Sequence, residues 1–245
     1  MTDPQNPFRH HPSLKGLITP LEESFFGDFT VEQVVEDMKE RGQDTSWITP
    51  REEREACRHA TLDGRWDSDL WVFAYGSLIW DPALRFSEVR RGFAPGVERK
   101  FCLYDDRGAR GSAEAPGVMA GLDEGAGCHG VVFRIDRDRL DAETYRLWSR
   151  ERIGPAYIPR FIPVETAEGD VEAVTFMVNH AAENIRLDLS HEDQVRLCAL
   201  GVGELGSSYD YVANLARHFE ELKIEDAKVT RLLTDATAYR DAMSA

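Results

Sequence analysis

The chain of 245 residues is 42% hydrophobic and 30% charged, which is ordinary for a soluble globular protein with one large domain or a domain with extensions. Its formal net charge is −15 at pH 7. This charge argues against binding to nucleic acid or to an anionic membrane surface, because both need clustered Lys and Arg. It does not exclude a small anionic substrate, since the charge of a local pocket can differ from the total.

The sequence predicts a cytoplasmic protein. No stretch approaches the roughly 18 consecutive apolar residues of a membrane span, and the N-terminus lacks the basic and apolar regions of a signal peptide. The four cysteines form no CxxC pair, so we expect free thiols that mostly fill the core. The histidines show no metal-ligand spacing, and His10 and His11 are expected in a solvated tail. We therefore predict no metal site.

Residues 1–66 are predicted to form an extension made of helices and loops. Residues 30–33 (TVEQ) have the pattern of a capping box and begin a short helix that Gly42 ends. Residues 49–52 (TPRE) begin a second helix, which is highly charged and expected to be exposed. We expect the extension to pack against the rest of the chain or against another subunit.

Short apolar runs separated by Gly, Pro and Asp begin at Leu70. The predicted strands are 71–75, 88–94, 99–104, 117–122, 128–135, 158–164 and 171–178. The predicted helices are 137–152, 191–203 and 208–222, with a further amphipathic helix and tail at 223–245. This pattern favours an α+β protein in which a curved or closed β structure is flanked by helices. The predicted units are the extension 1–66, a central domain 67–222 and the C-terminal segment 223–245.

The segment 71–80 (WVFAYGSLIW) is the most informative part of the chain. Its apolar run predicts a buried strand that ends at Gly76 and Ser77. A glycine allows a backbone to come close to a ligand, and successive N–H groups at such a break can hold an anion or an oxyanion. An ordinary turn after a buried strand would explain the same segment.

Glu151 is the second feature that calls for an explanation. At 3.6 residues per turn it shares the apolar helical face that carries Leu140, Thr144 and Leu147. The charged neighbours on this helix, Glu143, Arg146, Arg150 and Arg152, are expected at its sides. Burial near a helix C-terminus raises the pKa of a carboxylate and makes it a candidate general base. An ion pair with a neighbouring arginine, or a frayed last turn, remains an alternative.

Taken together, these pieces resemble the ChaC family of γ-glutamylcyclotransferases between Trp71 and Leu222. Residues 72–80 resemble the Y-G-S-L loop of the family, and residues 147–151 (LWSRE) with Tyr157 resemble its R-E segment. Further matching segments are 99–102, 106–108, 115–117 and 128–135. Residues 206–211 resemble the family pattern G-x-N-x-E-Y, with Ser208 and Asp210 in place of Asn and Glu.

The resemblance implies a γ-glutamylcyclotransferase-like α+β fold, a small mixed β-barrel or curved sheet flanked by helices. It also implies a cofactor-independent enzyme that cleaves glutathione to 5-oxoproline and Cys-Gly, with Glu151 as general acid/base. The substrate-binding residues it implies are Tyr75, Gly76, Ser77, Leu78, Ile79, Trp80 and Tyr157.

Several alternatives stay open at this point. The substrate could be another γ-glutamyl amino acid or amine, or the chain could be a non-catalytic binding protein with the same fold. Arg99 and Arg107 could balance carboxylates of the substrate, but surface ion pairs are favoured for both. Asp105 and Asp106 are expected to form a turn. Ser77 has no His/Asp partner and is not expected to be a nucleophile. The expected partner is a small-molecule substrate, and the oligomeric state is not predicted.

Overall fold

The computed structural model describes Asp3 and residues 5–244. All seven predicted strands are present and form one sheet in the order β1-β5-β2-β6-β7-β4-β3. Their bounds are Leu70–Ala74 (β1), Glu88–Ala94 (β2), Val97–Asp105 (β3), Gly117–Glu124 (β4), Cys128–Ile135 (β5), Tyr157–Thr166 (β6) and Val171–Val178 (β7). A pairing of β1 with β7 closes the first five strands of this order into a barrel, and β4 and β3 extend it. Val202–Gly203 (β8) and Gly206–Ser207 (β9) form a separate two-stranded sheet.

The strand β1 is the central strand for the site. It pairs antiparallel with β5, where Val72 lies opposite Phe133, and parallel with β7, where Val72 lies opposite Val174. Both of its faces are covered, so Val72, Phe73 and Ala74 are completely buried. A strand that is buried on both faces has a continuous apolar run rather than an alternating one, which explains the composition of this segment.

Six α-helices surround the barrel in the described part of the chain. Their bounds are Val31–Glu40 (α1), Arg51–Thr61 (α2), Leu140–Glu151 (α3), His191–Leu200 (α4), Ser208–Leu222 (α5) and Ala227–Ser244 (α6). The predicted capping box at α1 is confirmed, since the Thr30 hydroxyl accepts a hydrogen bond from the Gln33 N–H at 3.2 Å. None of the described helices is long and apolar enough to span a membrane.

The extension packs against the barrel, and two expectations about its side chains need correction. Most residues of α2 are exposed, as expected, but Arg54 and Arg58 are each only 3% exposed. Arg58 donates to Asp141 at 2.9 Å and to Thr144 at 3.0 Å, which joins α2 to α3. A guanidinium tolerates such burial when its donors are paired and its aliphatic stem covers apolar surface.

His10 and His11 do not lie in a solvated tail. His10 is 3.1 Å from the carboxylate of the buried Glu88, and the His11 ring accepts the Arg91 N–H at 2.9 Å. Both partners belong to β2, so this part of the chain is tied to the barrel by polar contacts that its local sequence does not reveal. The boundaries at residues 66 and 222 remain predictions.

The core extends from the barrel into the helices. Leu147 and Trp148 of α3 are buried together with Val212 and Leu215 of α5. The helix α6 packs on α4 and α5 and buries Val229, Leu232 and Ala236. Cys102, Cys128 and Cys198 are buried free thiols and Cys57 is partly buried, as predicted.

Candidate active site

The loop after β1 turns sharply because of a close approach to α5. Gly76 begins one turn of 3₁₀ helix, Ser77–Ile79, and has a φ of −126° that any residue can adopt. A Cβ on Gly76 would lie 2.6 Å from the Tyr211 hydroxyl oxygen, much closer than a van der Waals contact. The nearby tyrosine therefore leaves no room for a side chain at position 76.

Arg99 anchors the start of this loop. Its Nε donates to the carbonyl of Tyr75 at 2.7 Å, and one Nη donates to the carbonyl of His129 at 2.6 Å. The other Nη is paired with Asp226, which lies next to the start of α6. The expectation of a surface ion pair for Arg99 is wrong, because the residue is only 3% exposed. Two backbone carbonyls pointing inward supply the acceptors that make this burial possible.

Glu151, in the last turn of α3, faces the same loop. Its side chain is only 12% exposed, and its Oε1 lies 3.1 Å from Nε of Arg150. Burial raises the pKa of Glu151, and the charge of Arg150 offsets part of that rise. The two interpretations of Glu151 from the sequence, a buried carboxylate with a raised pKa and an ion pair with an arginine, thus hold at once.

Arg150 joins the two halves of the site. Its Nη2 donates to the Ser77 hydroxyl at 2.9 Å, and its Nη1 donates to the carbonyl of Asp81 at 2.5 Å. Its guanidinium also stacks over the ring of Phe26, at 4.0 Å from the centroid. The sequence placed Arg150 at the side of the helix, yet its side chain is only 7% exposed. The loop after β1 and the N-terminal extension cover that side of α3.

Glu143 is also buried, contrary to expectation. It is 2% exposed, accepts the Arg85 N–H at 3.0 Å and is paired with Arg146. The chain before β2 covers this side of α3, so helical periodicity alone could not identify every buried position. Because Glu143 is satisfied by structural partners, it differs from Glu151, which faces a cavity.

Three tyrosines surround the carboxylate of Glu151. The hydroxyl of Tyr75 donates to the carbonyl of Phe176 at 2.8 Å, and that of Tyr157 donates to the carbonyl of Ala120 at 3.3 Å. Burial raises the pKa of Tyr75 and of Tyr157 well above the usual value, and it raises the pKa of Tyr211 to about 12. All three hydroxyls therefore stay protonated at neutral pH.

These groups enclose one cavity with about 310 Å³ of empty space, part of it open to solvent. Its lining residues are Phe73, Tyr75, Gly76, Ser77, Leu78, Ala120, Glu151, Tyr157, Phe176 and Tyr211. The structure thus brings together six of the predicted site residues. Of the other two, Ile79 is fully buried in the core, and Trp80 packs edge-on against Tyr211 at 5.3 Å. Phe73, Ala120, Phe176 and Tyr211 are additional lining residues that were not predicted as site residues.

A second, wider depression lies at the opposite end of β1 and is unsuited to an anionic substrate. It is lined by Asp67, Ser68, Asp69, Asp136, Arg137 and Asp138. Its carboxylates would repel an anion, and it is open to solvent. Within the described residues, no cluster of His, Cys, Asp and Glu has the arrangement of a metal site.

The segment at the start of α5 has a structural function. The buried Ser208 hydroxyl accepts the Val118 N–H at 2.8 Å. Asp210 and Ser207 cap the helix, since the Ser207 hydroxyl accepts the Asp210 N–H at 3.0 Å and lies 2.6 Å from its carboxylate. Of the two residues that depart from the resembling pattern, Ser208 thus holds α5 against β4 and Asp210 takes part in the N-terminal cap of α5.

The comparisons with known proteins agree with this fold and cavity. The sequence matches the model of the ChaC-like protein family over residues 70–239, from the first residue of β1 to a point inside α6. The chain therefore belongs to the ChaC-like family, and the prediction of that family is confirmed. The first 69 residues lie outside the match.

Two relatives carry informative names. A protein of Escherichia coli (strain K12), "Glutathione-specific gamma-glutamylcyclotransferase", is 34% identical over 190 residues, which cover 77% of this chain and 82% of the relative. A protein of Danio rerio, "Glutathione-specific gamma-glutamylcyclotransferase 1", is 29% identical over 154 residues, which cover 61% of this chain and 78% of the relative.

A solved structure supports the fold. The crystal structure of a γ-glutamylcyclotransferase specific to glutathione from yeast superposes with a TM-score of 0.65 at 20% identity. The superposition covers 71% of this chain and 97% of the yeast chain. The predicted α+β fold of the γ-glutamylcyclotransferase type is thereby confirmed.

Proposed function

We propose that the protein is a glutathione-specific γ-glutamylcyclotransferase, a lyase-type enzyme that converts glutathione to 5-oxoproline and Cys-Gly. The main support is the juxtaposition of the buried Glu151 with the loop Gly76–Leu78 across one cavity. The names of the relatives from Escherichia coli and Danio rerio support the same substrate.

The reaction needs a base before the bond-forming step. The substrate α-amine is mainly an ammonium ion at neutral pH, so it must first transfer a proton to the Glu151 carboxylate. The free amine then attacks the γ-carbonyl carbon of the same molecule and forms the five-membered ring. The Glu151 carboxyl next donates its proton to the leaving nitrogen as the C–N bond to cysteine breaks. The ring nitrogen then loses its second proton to the Glu151 carboxylate, which passes it to the released amine and is again ionised. A raised pKa suits Glu151 to these transfers.

Because the nucleophile is tethered to the carbonyl, positioning supplies much of the acceleration. The cavity walls are formed in part by the rings of the buried Tyr75 and Tyr211 and of the partly buried Tyr157. In the described part of the chain, the N–H groups of Ser77 and Leu78 donate to no other residue. They are suited to bind an oxygen of the substrate or the oxyanion of the tetrahedral intermediate.

The Ser77 hydroxyl has a different task in this proposal. It accepts a hydrogen bond from Arg150 at 2.9 Å, and no histidine contacts it among the described residues. It therefore holds Arg150 beside Glu151 and is not a nucleophile. Free buried thiols and a small soluble substrate support the proposal that the enzyme works in the cytoplasm.

The decisive experiment follows the release of 5-oxoproline and Cys-Gly from reduced glutathione by mass spectrometry. The Glu151→Gln variant should keep the fold and lose at least about a hundredfold in kcat, since general acid–base catalysis contributes about 10²–10⁴-fold. The matched control is Glu143→Gln, a buried glutamate on the same helix that lies outside the cavity. This control should keep most of its activity.

A Glu151→Gln variant with wild-type turnover would contradict the assigned base. A panel of γ-glutamyl amino acids and amines, compared by kcat/KM, separates glutathione from the alternative substrates. A protein that binds these compounds and turns over none of them would be a binding protein instead.

A further inference from the structure

The loop between β3 and β4 carries an arginine beside the cavity, Arg110, to which the mechanism assigns no task. Its guanidinium carbon lies 6.0 Å from the centroid of the Tyr211 ring. Tyr211 forms part of the cavity wall and approaches Gly76 closely. The Tyr211 side chain thus lies between Arg110 and the loop that is proposed to bind substrate.

The guanidinium of Arg110 has no anionic partner in the described part of the chain. Its side chain forms neither an ion pair nor a hydrogen bond, in contrast to Arg99 and Arg150, whose donors are engaged. The nearby Asp210 carboxylate accepts instead from the Ser207 hydroxyl at 2.6 Å. Arg110 is half-buried, and burial is the main reason that its pKa is lowered. The charge of Arg150 acts in the same direction, whereas the carboxylates of Asp210 and Asp81 oppose the shift.

The fold nevertheless fixes the backbone around Arg110. The Asp105 carboxylate accepts the N–H of Arg110 and, at 2.9 Å, the N–H of Gly111, so the predicted turn at Asp105 is confirmed. On the other side, the carbonyl of Ala109 accepts the Leu205 N–H at 2.9 Å. Ordering the backbone around an unpaired cation costs free energy that a bound anion would offset.

The residue opposite the guanidinium leaves room for it. Gly206 has a φ of +104°, which favours glycine, and a Cβ there would lie 2.9 Å from Nη1 of Arg110. A residue larger than glycine at position 206 is therefore disfavoured both by the backbone conformation and by the lack of space. The Arg110 side chain therefore lies against Gly206 and the Tyr211 ring rather than extending freely into solvent.

We propose that Arg110 binds a carboxylate of the γ-glutamyl substrate. This inference rests on the proposed function. Glutathione carries two carboxylates, one on the α-carbon of the glutamyl residue and one on glycine, and the planar fork of an arginine suits either. A chain with a net charge of −15 needs a local cation to attract such a substrate. Arg150 already uses its donors on Ser77 and Asp81, whereas those of Arg110 are available.

The test compares Arg110→Met with Arg107→Met, a control that removes an arginine from the same loop. The Arg107 guanidinium stacks near Trp47, at 5.0 Å from the ring centroid, and is not placed at the cavity. Arg110→Met should raise KM for glutathione about ten- to a hundredfold, as expected for loss of a charge-assisted hydrogen bond, and change kcat much less. Arg110→Lys should recover part of the loss, and the control should leave KM unchanged.

A second substrate identifies the carboxylate. Glutathione with its glycine carboxylate converted to an amide should bind less tightly to the wild type if Arg110 binds that group, and Arg110→Met should then no longer distinguish the two substrates. If Arg110 binds the α-carboxylate, Arg110→Met should lose affinity for both substrates equally. A KM within about twofold of wild type for both substrates, in a variant that unfolds at the wild-type temperature, would overturn the proposal.

Failure of the proposed function is recognised separately. A wild-type protein that turns over no γ-glutamyl compound contradicts the cyclotransferase assignment. Titration calorimetry with glutathione then tests Arg110 alone. Tighter binding by wild type than by Arg110→Met supports the carboxylate site, and equal binding, or binding by neither, overturns it.

Discussion

The Arg150 guanidinium lies 3.1 Å from the carboxylate of its chain neighbour, Glu151. Adjacent residues of a helix point in different directions, so this contact requires both side chains to bend toward the loop after β1. Burial raises the pKa of Glu151 and Arg150 opposes the rise, with burial the larger effect. The basicity of Glu151 is therefore set by a balance between the two.

Removing Arg150 should shift the pH dependence of the reaction. Glu151 accepts a proton only when ionised, so kcat/KM should fall as the pH drops below its raised pKa. Arg150→Met removes the charge that lowers this pKa, and the acidic limb of the pH–rate profile should move to higher pH. The measurement is kcat/KM for glutathione between pH 4 and 9.

The control for this shift is Arg146→Met, which removes an arginine of the same helix that is paired with Glu143. It should leave the acidic limb where it is in wild type. An acidic limb that moves to lower pH in Arg150→Met would contradict the balance described for Glu151.

Glu151 should lower stability at neutral pH. Its folded-state pKa is raised above the usual value of 4.5, so its protonated form favours folding at low pH. This contribution is complete below the unfolded-state pKa and is lost as the pH rises through the folded-state pKa. Glu151→Gln mimics the protonated carboxyl at every pH. The free energy of unfolding of this variant minus that of wild type should therefore increase from pH 4 to pH 8. Urea unfolding at a series of pH values measures this difference, and a difference that decreases with pH would refute the raised pKa.

The contact between Gly76 and Tyr211 predicts a compensated pair of substitutions. Gly76→Ala places a Cβ against the Tyr211 hydroxyl and should destabilise the fold by about 1–3 kcal/mol and lower activity. Tyr211→Phe alone loses the hydrogen bond with the Ala120 N–H and should cost about 1 kcal/mol. The double variant lacks the clashing oxygen, so its loss should be smaller than the sum of the single losses. Additive losses in urea unfolding would exclude the steric explanation.

The N-terminal extension should contribute to catalysis through Phe26. Its ring lies 4.0 Å from the guanidinium carbon of Arg150, and Ser24 in the same segment donates to the Asp81 carboxylate at 2.6 Å. A cation–π contact contributes about 0.5–2 kcal/mol, so Phe26→Ala should lower kcat about two- to thirtyfold by loosening Arg150.

The neighbouring phenylalanine supplies the control. Phe25 is 59% exposed, and Phe25→Ala should retain wild-type kcat. Equal losses in the two variants would assign the effect to general disturbance of the segment rather than to Arg150. The pH–rate profile adds a second readout, since only Phe26→Ala should move its acidic limb.

Local patterns in the sequence determined the secondary structure and part of the site. All seven predicted strands are present, and the helix 208–222 has the predicted bounds. The burial of Glu151 followed from its spacing to Leu140 and Leu147, because helical periodicity depends on chain geometry alone. These inferences succeeded where a residue and its neighbours within two or three turns define the environment.

Which arginines are buried, and which groups they contact, depends on long-range packing. Arg99, Arg150 and Arg54 resembled surface residues because burial of a guanidinium depends on acceptors supplied by distant segments. Tyr211 reaches the cavity for the same reason, since α5 packs on a loop more than a hundred residues earlier in the chain. Local sequence patterns were enough to predict the secondary-structure elements and the position of the Glu151 carboxylate. Folding determined its surroundings, because contacts between segments distant in the chain leave no local periodicity to recognise.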